Sequence, residues 1–367
     1  MAEDEKWALT VRSAALDAWT GTDEALTTAL KQHLVVAFLG SASSGKDSAI
    51  RALFGLDFGE VSPIPGSTSA LRVVKLDPAG QVLLVNAPGF GDVRERVDAS
   101  VREVMDSLDI VVYVVNSEGG ATIDERRDLD AIRSLDRPVL VCLNKIDLIR
   151  TKEREGFIAA TLAQLGVDPK DAVITSFDPL PQLAPEPIGV EYVIRWIGDH
   201  LASSGKALLF AKHLRNKAAA CEPIIQAAAR MASVAGAIPI PGADLAAVTA
   251  IQVKLIRDIA EVHGQSFDRD MVAFILAELL AGGMRGFARW AMEGAKAAGM
   301  LPGGQLAEGL ILAVSATIAG ASTYGVGKAT VAWIQSGRKL DGAALRGVFD
   351  IAAMAWKDKK PTLVGPG

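Results

Sequence analysis

Residues 34–48 read LVVAFLGSASSGKDS: six apolar residues, then Gly40, four small residues, Gly45, Lys46, Asp47 and Ser48. The apolar, β-branched run predicts a buried strand, and the glycines behind it predict a tight loop that opens a helix. Glycine lets the backbone curl until its N–H groups converge, and the N-terminus of the next helix adds donors and a positive dipole. Such a loop is a cradle for phosphate oxygens. Lys46 is placed to reach the β- and γ-phosphates of a nucleotide, with Ser43, Ser44, Asp47 and Ser48 lining the same turn.

Outward from this stretch the pattern repeats. LRVVKL, QVLLVN, IVVYVV, VLVCLN and AVIT are further short apolar runs, and polar helical stretches such as ATIDERRDLDAIRSL and TKEREGFIAATLAQLG separate several of them. Apolar strands alternating with helices predict an α/β fold with a mostly parallel sheet covered on both faces. This domain is expected over residues 34–203, closing with the proline-rich loop FDPLPQLAPEPIG and the helix EYVIRWIGDHL. Residues 1–33 read as a separate helical segment with a break near Gly21 and a second short helix from Asp23. Residues 204–345 read as an Ala- and Gly-rich all-α domain, with helices expected at 268–284 and 286–299, and residues 346–367 as a tail.

Composition narrows the classes. The 367 residues carry 38 Lys and Arg against 43 Asp and Glu, a net charge of −5, which argues against nucleic acid as a partner. At 50% hydrophobic and 22% charged, the chain is not disordered. Cys142 and Cys221 cannot build a disulfide framework, and the acidic start MAEDEKWALT is not a signal peptide. A cytoplasmic location is expected, with the inner face of the cell membrane as a second site. His33, His200, His213 and His263 are scattered without metal-ligand spacing.

A second motif, Asn144-Lys145-Ile146-Asp147, ends the strand VLVCLN. A carboxylate at Asp147 can accept from both N1–H and the 2-amino group of guanine. Adenine offers neither, so a desolvated Asp147 would reject it. Asn144 would tie the base edge to the loops and Lys145 would lie over the ring. Between the two motifs, Asn86-Ala87-Pro88-Gly89 closes the strand QVLLVN. On these residues the region from Leu34 to about Ser203 resembles the translation-factor-class GTPases, especially their Era-like and dynamin-like branches. The resemblance implies GTP and GDP as ligands and Mg²⁺ as cofactor. It also implies that Gly89 contacts the γ-phosphate, that Thr68 in PGST is the switch threonine on the metal, and that Ser176 opens the last guanine-contacting loop. Lys46, Thr68 and Gly89 are the residues it assigns to hydrolysis.

Two positions depart from that pattern. The residue after the loop lysine is Asp47 where the family has Ser or Thr, and the strand-end residue is Asn86 where the family has Asp. Together they keep one carboxylate near the metal, moved from strand end to phosphate loop. Asp47, Thr68 and Asn86 are therefore the candidate metal-facing residues, and the competing reading is a degenerate, metal-free site. Phe90 stands where Ras-type enzymes position water with Gln, so intrinsic hydrolysis is expected to be slow. Arg94 and Arg96 follow in the same segment and could stabilise charge, but a solvated helix start is the better reading of both.

The helical region, through PIIQ (223–226), IPIPGAD (238–244) and Ile251-Gln252, resembles an uncharacterised domain that follows some bacterial Era-like GTPase domains. That implies a bacterial module with contact to a membrane surface or membrane protein. Gly309–Gly327 carries no charge and is long enough to span a bilayer, though its Ser, Thr and Gly content favours a compact soluble bundle over insertion. Residues 245–261 look amphipathic, with Gln252, Lys254, Arg257, Asp258 and Glu261 set against Leu245, Val248, Leu255, Ile256 and Ile259. The expectation is a slow GTP-hydrolysing switch coupled to a helical effector domain, with pairing of two G domains as a route to a homodimer. The alternatives are a non-hydrolysing GTP/GDP-sensing adaptor and a membrane-anchored helical protein with a vestigial G domain.

Overall fold

The structure, a computed structural model, describes residues 2–57, 72–87, 106–237, 243–280 and 305–356. Its described residues divide into two compact units, one from Lys31 to Ala219 and one combining the residues up to Leu30 with those from Ala220 to Trp356.

The first unit holds six strands, β1 Leu34–Leu39, β2 Arg72–Lys75, β3 Val82–Ala87, β4 Ile110–Asn116, β5 Val139–Asn144 and β6 Ala172–Ile174. They are ordered β2-β3-β1-β4-β5-β6, with β2 antiparallel at the edge and every other pairing parallel. Each lies in one of the apolar runs. β1 is buried at every position and β4 at all but its last, so both sheet faces are covered. On one face Val35, Ala37, Leu39 and Tyr113 pack with Leu129 and Ile132 of α3 (Ile123–Arg133) and Leu162 and Leu165 of α4 (Thr151–Leu165); α2 is the helix Lys46–Phe54 behind β1. On the other face Phe38 meets Phe54 of α2 edge-on at 6.1 Å. Phe54 in turn meets Phe210 at 6.0 Å, which brings α6 (Ala207–His213) into this unit beside α5 (Val190–Ala202). Packing thus carries the unit past the boundary expected at residue 203. The strand order reverses at β1, whose neighbours are β3 and β4. In such sheets ligands bind outside the C-terminal strand ends at that switch point.

The second unit contains α1 (Ala2–Leu30), α7 (Lys217–Gly236), α8 (Ala243–Val262), a helical stretch at 269–280, α9 (Gln305–Gln335) and α10 (Gly342–Ala355). The expected break near Gly21 does not occur, and α1 is one helix. A Cβ at Gly21 would meet nothing within 4 Å, so the glycine costs propensity, about 1 kcal/mol, without a packing demand to end the helix. Nor do residues 1–33 stand apart. Arg257 of α8 donates to the Trp19 carbonyl, the Thr22 hydroxyl and the Asp23 carboxylate of α1, and stacks on the Trp19 ring at 4.0 Å.

The polar side expected to be solvated on α8 is largely internal. Gln252, Arg257 and Asp258 are buried. Gln252 donates to Thr323 of α9 at 3.1 Å, and Lys254 donates to Asp258. Pro223 lies inside α7. Small residues do what their abundance suggests. A Cβ on Gly327 would come within 2.7 Å of Ile225, and one on Gly325 within 2.8 Å of Phe349. Phe349 also corrects the expected tail from residue 346, because it is buried in α10 with Leu345, Ala352 and Ala353. Gly309–Gly327 lies within α9, whose described core includes buried Ser322 and Thr323. Among the described residues no helix is long and apolar enough to cross a membrane. The helix expected at 286–299 lies outside the described residues.

Candidate functional site

The loop between β1 and α2 has the backbone that its glycines predict. Gly40 and Gly45 hold φ of 141° and 98°, and Ser43 sits in the left-handed region at 60°. A Cβ on Gly40 would lie 2.1 Å from the Val114 carbonyl oxygen, and one on Gly45 would lie 2.2 Å from Asn144 Nδ2. Neither position has room for a side chain. Lys46 reaches back over the loop and donates to the carbonyls of Gly40 at 2.9 Å and Ser41 at 2.8 Å. Burial draws its ammonium below the ordinary lysine range, while the Asp47 carboxylate acts in the opposite sense. The Ser44 hydroxyl is fully buried in this turn and has no hydrogen-bond partner among the described residues. An orphaned hydroxyl and a curled backbone fit a phosphate cradle.

Asp47 and Asn86 meet. Asn86 Nδ2 donates to Asp47 Oδ1 at 2.5 Å, joining the first turn of α2 to the end of β3. Asp47 is exposed and Asn86 partly buried. Mg²⁺ takes one or two protein oxygens, phosphate oxygens and retained waters, so an exposed carboxylate beside a phosphate cradle fits it. Among the described residues no group of three or more His, Cys, Asp or Glu gathers as a metal site, here or elsewhere. Ser48 follows on α2. Thr68 and Gly89 lie outside the described residues, as do Phe90, Arg94 and Arg96.

The strand ends of β5 and β6 make the other corner. Asn144 is buried and connects three segments. Its Nδ2 donates to the Ser44 carbonyl at 2.8 Å, and its Oδ1 accepts from the Phe177 N–H at 3.1 Å and the Thr175 hydroxyl at 3.4 Å. Lys145 adopts the left-handed conformation and donates to Glu118 at 2.7 Å. Asp147 is buried to 9% exposure and accepts from the Ser176 hydroxyl at 2.5 Å and the Leu180 N–H at 3.3 Å. Ser176, a bare residue after a strand in the sequence, thus sits directly on Asp147. The site residues on β1, β3, β5 and β6 all gather at the C-terminal sheet edge, with Phe38 in register with Asn86 and Asn116 with Asn144.

One participant escapes sequence reasoning. Glu125 is buried and accepts from the Ser41 hydroxyl of the phosphate loop at 3.1 Å. It also closes a capping box with Thr122 at the start of α3. The signal was present as Thr-x-x-Glu, but that pattern announces a helix start and not a contact with another loop.

Comparison with known proteins finds similarity over the same region of the sequence. Residues 35–145 match the family described as 50S ribosome-binding GTPase, and residues 206–358 match a domain of unknown function (DUF697). Among curated proteins, GTPase Era of Borreliella burgdorferi (strain ZS7) is 26% identical over 142 residues, covering 37% of this chain and 48% of the relative. GTPase Era of Caldanaerobacter subterraneus subsp. tengcongensis is 23% identical over 193 residues, covering 50% and 64%. The chain spans about half the length of the first of these relatives. Among solved structures, a probable GTP-binding protein engB aligns with a TM-score of 0.33 at 20% identity, over 46% of this chain and 99% of that one. Era in complex with MgGDPNP and nucleotides 1506–1542 of 16S ribosomal RNA aligns with a TM-score of 0.32 at 16% identity, over 55% and 67%. The chain carries a GTPase domain related to Era, and a helical domain follows it.

Proposed function

We propose that the chain is a GTP-binding switch that hydrolyses GTP slowly to GDP and phosphate, with its nucleotide state read by the helical unit. The observation that carries this reading is Asn144, whose amide joins the phosphate loop at Ser44 to the segment at Phe177, beside a buried Asp147. One side chain then couples the phosphate end of a nucleotide to its base end. The carboxylate of Asp147 is suited to accept N1–H and the 2-amino group of guanine, while Ser176 and Leu180 hold it in place. The loop N–H groups and Lys46 would orient the triphosphate for in-line attack by water. Mg²⁺, when bound, would neutralise charge on the β- and γ-oxygens, with Asp47 and Asn86 the described residues nearest that role and Thr68 the one implied by family resemblance. No Gln follows Gly89, which favours a low intrinsic rate. The net charge of −5 favours a small nucleotide over RNA as the ligand. Pairing of G domains and contact of the helical unit with a membrane surface remain part of the same proposal.

The test is nucleotide selectivity with turnover. GTP and GDP should bind at least about 1,000-fold more tightly than ATP, because a polar site rejects the analogue that leaves it unpaired. Asp147→Asn should lose GTP and gain xanthosine triphosphate, whose 2-oxo group needs a donor. Equal affinity for ATP and GTP overturns the guanine assignment. Tight GTP binding without phosphate release would make the protein a sensor and not an enzyme.

A further inference from the structure

The family arrangement implied by resemblance puts a hydroxyl after the loop lysine and a carboxylate at the end of the third strand. Here the carboxylate follows the loop lysine, a neutral amide stands at the strand end, and the two side chains touch. A carboxylate has no hydrogen to give, so the contact between Asn86 and Asp47 has only one polarity, amide donor to carboxylate acceptor. A carboxylate at position 86 would remove the donor and set two negative groups against each other at hydrogen-bond distance. Asp at 47 and a neutral donor at 86 therefore belong together as one electrostatic unit. The donated hydrogen uses one of about four lone-pair directions on the carboxylate, and fixes its orientation beside the phosphate loop.

We propose, resting on the nucleotide reading above, that Asp47 supplies the protein's carboxylate to the divalent cation accompanying the nucleotide, and that Asn86 is a positioning residue that aims it. The arrangement is a transposition of the family's metal carboxylate from strand end to phosphate loop. Lys46, one residue earlier, points back over the loop to the Gly40 and Ser41 carbonyls, so the adjacent cation and carboxylate serve different ends of the cradle. Asp47 is exposed, which leaves room for the waters that Mg²⁺ retains.

The test is the affinity of the full chain for a fluorescent GTP analogue across a Mg²⁺ series, with EDTA as the zero point. It uses the parent, Asp47→Ser, Asn86→Asp, the double variant, and Asp47→Asn as a change of charge at constant shape. Asp47→Ser and Asp47→Asn should each raise the Mg²⁺ concentration for half-maximal binding by about ten-fold, the scale of one lost ion contact. Asn86→Asp should weaken binding most where Mg²⁺ is scarce. The double variant restores the family pattern and should recover most of both losses, giving a departure from additivity of about ten-fold. Thermal unfolding of each variant in EDTA identifies any loss that comes from folding. Unchanged Mg²⁺ dependence in both Asp47 variants, or strict additivity in the double, overturns the transposition while GTP binding stands. Failure of the parent to bind GTP at any Mg²⁺ concentration overturns the nucleotide reading as well.

Discussion

At the end of β5, Asn144 and Asp147 are buried and their hydrogen bonds run to the phosphate loop and to the segment after β6; across the sheet, Asp47 lies exposed and, among the described residues, takes one hydrogen bond, from Asn86. Buried polar atoms must be satisfied by the protein, so their partners and positions are fixed together. Exposed ones can fall back on water, and a change at one position can be answered by a change at another. The corner proposed for the base carries the residues that the resemblance implies, and a substitution there strands a buried partner. The corner proposed for the metal departs from the pattern that the resemblance implies, at positions where solvent can satisfy a changed group. Hydrogen-bond connectivity, more than distance from the ligand, separates the rigid part of this site from the adjustable part.

The largest effect that tests this contrast is at Asn144. Asn144→Ala leaves the Phe177 N–H and the Ser44 carbonyl without the amide, in a region with no solvent access for Asn144 itself. Each buried group so orphaned costs about 1–3 kcal/mol, so the unfolding free energy should fall by about 2–4 kcal/mol. Urea titration reads the change directly, and GTP affinity should fall with it by at least about ten-fold. A loss under about 0.5 kcal/mol would mean that the base corner is no more rigid than the metal corner, and the comparison breaks.

What could be read from the sequence follows the same division. The phosphate loop was legible because Gly40 and Gly45 answer local backbone demands that only glycine meets, and the strands were legible because a sheet covered on both faces needs unbroken apolar runs. Asn144 and Asp147 were legible through their spacing on one strand end. The contacts that join distant segments were not. Glu125 reads as an ordinary helix cap, and nothing local says that its second oxygen reaches Ser41. Arg257 and Gln252 read as a solvated stripe, because a helical wheel shows only that residues share a face and not what that face meets. Here it meets α1 and α9. The run of α1 through Gly21 was missed because about 1 kcal/mol of propensity is small beside the packing of a helix of 29 residues.

A smaller effect sharpens the comparison within the base corner. Ser176 gives Asp147 a short charge-assisted bond, but Leu180 N–H supplies a second one. Ser176→Ala should therefore leave the carboxylate held, though less tightly. The expected cost is about 1–2 kcal/mol in GTP affinity, a loss of roughly five- to thirty-fold, with discrimination against ATP retained. Isothermal titration with GTP and ATP checks both parts. Loss of base selection in this variant would show that Ser176, and not the carboxylate alone, sets the choice of base.

The smallest effect should come from the residue next to Asn144 in the chain. Lys145 Nζ donates to Glu118 Oε2 at 2.7 Å, but the two side chains are 30% and 50% exposed. The hydrogen bond from Lys145, and then its charge, hold the Glu118 carboxyl below the usual glutamate range. A carboxyl lowered on folding adds stability that is present above its unfolded pKa and is lost as pH falls through the lower folded value. Solvent screening limits an exposed pair of this kind to at most about 0.5 kcal/mol. Glu118→Gln should therefore shift the urea midpoint at pH 7 only slightly, and the difference from the parent should vanish in acid once the parent carboxyl is protonated. GTP affinity should move by less than about three-fold, because Lys145 can reorient once its tether is gone and pays little for doing so. The Asn144 amide and the Lys145–Glu118 tether would then differ several-fold in energetic weight, because one is buried and shared among three segments while the other faces water. A loss at Glu118→Gln as large as that at Asn144→Ala would put the tether inside the rigid corner and redraw the boundary between the two.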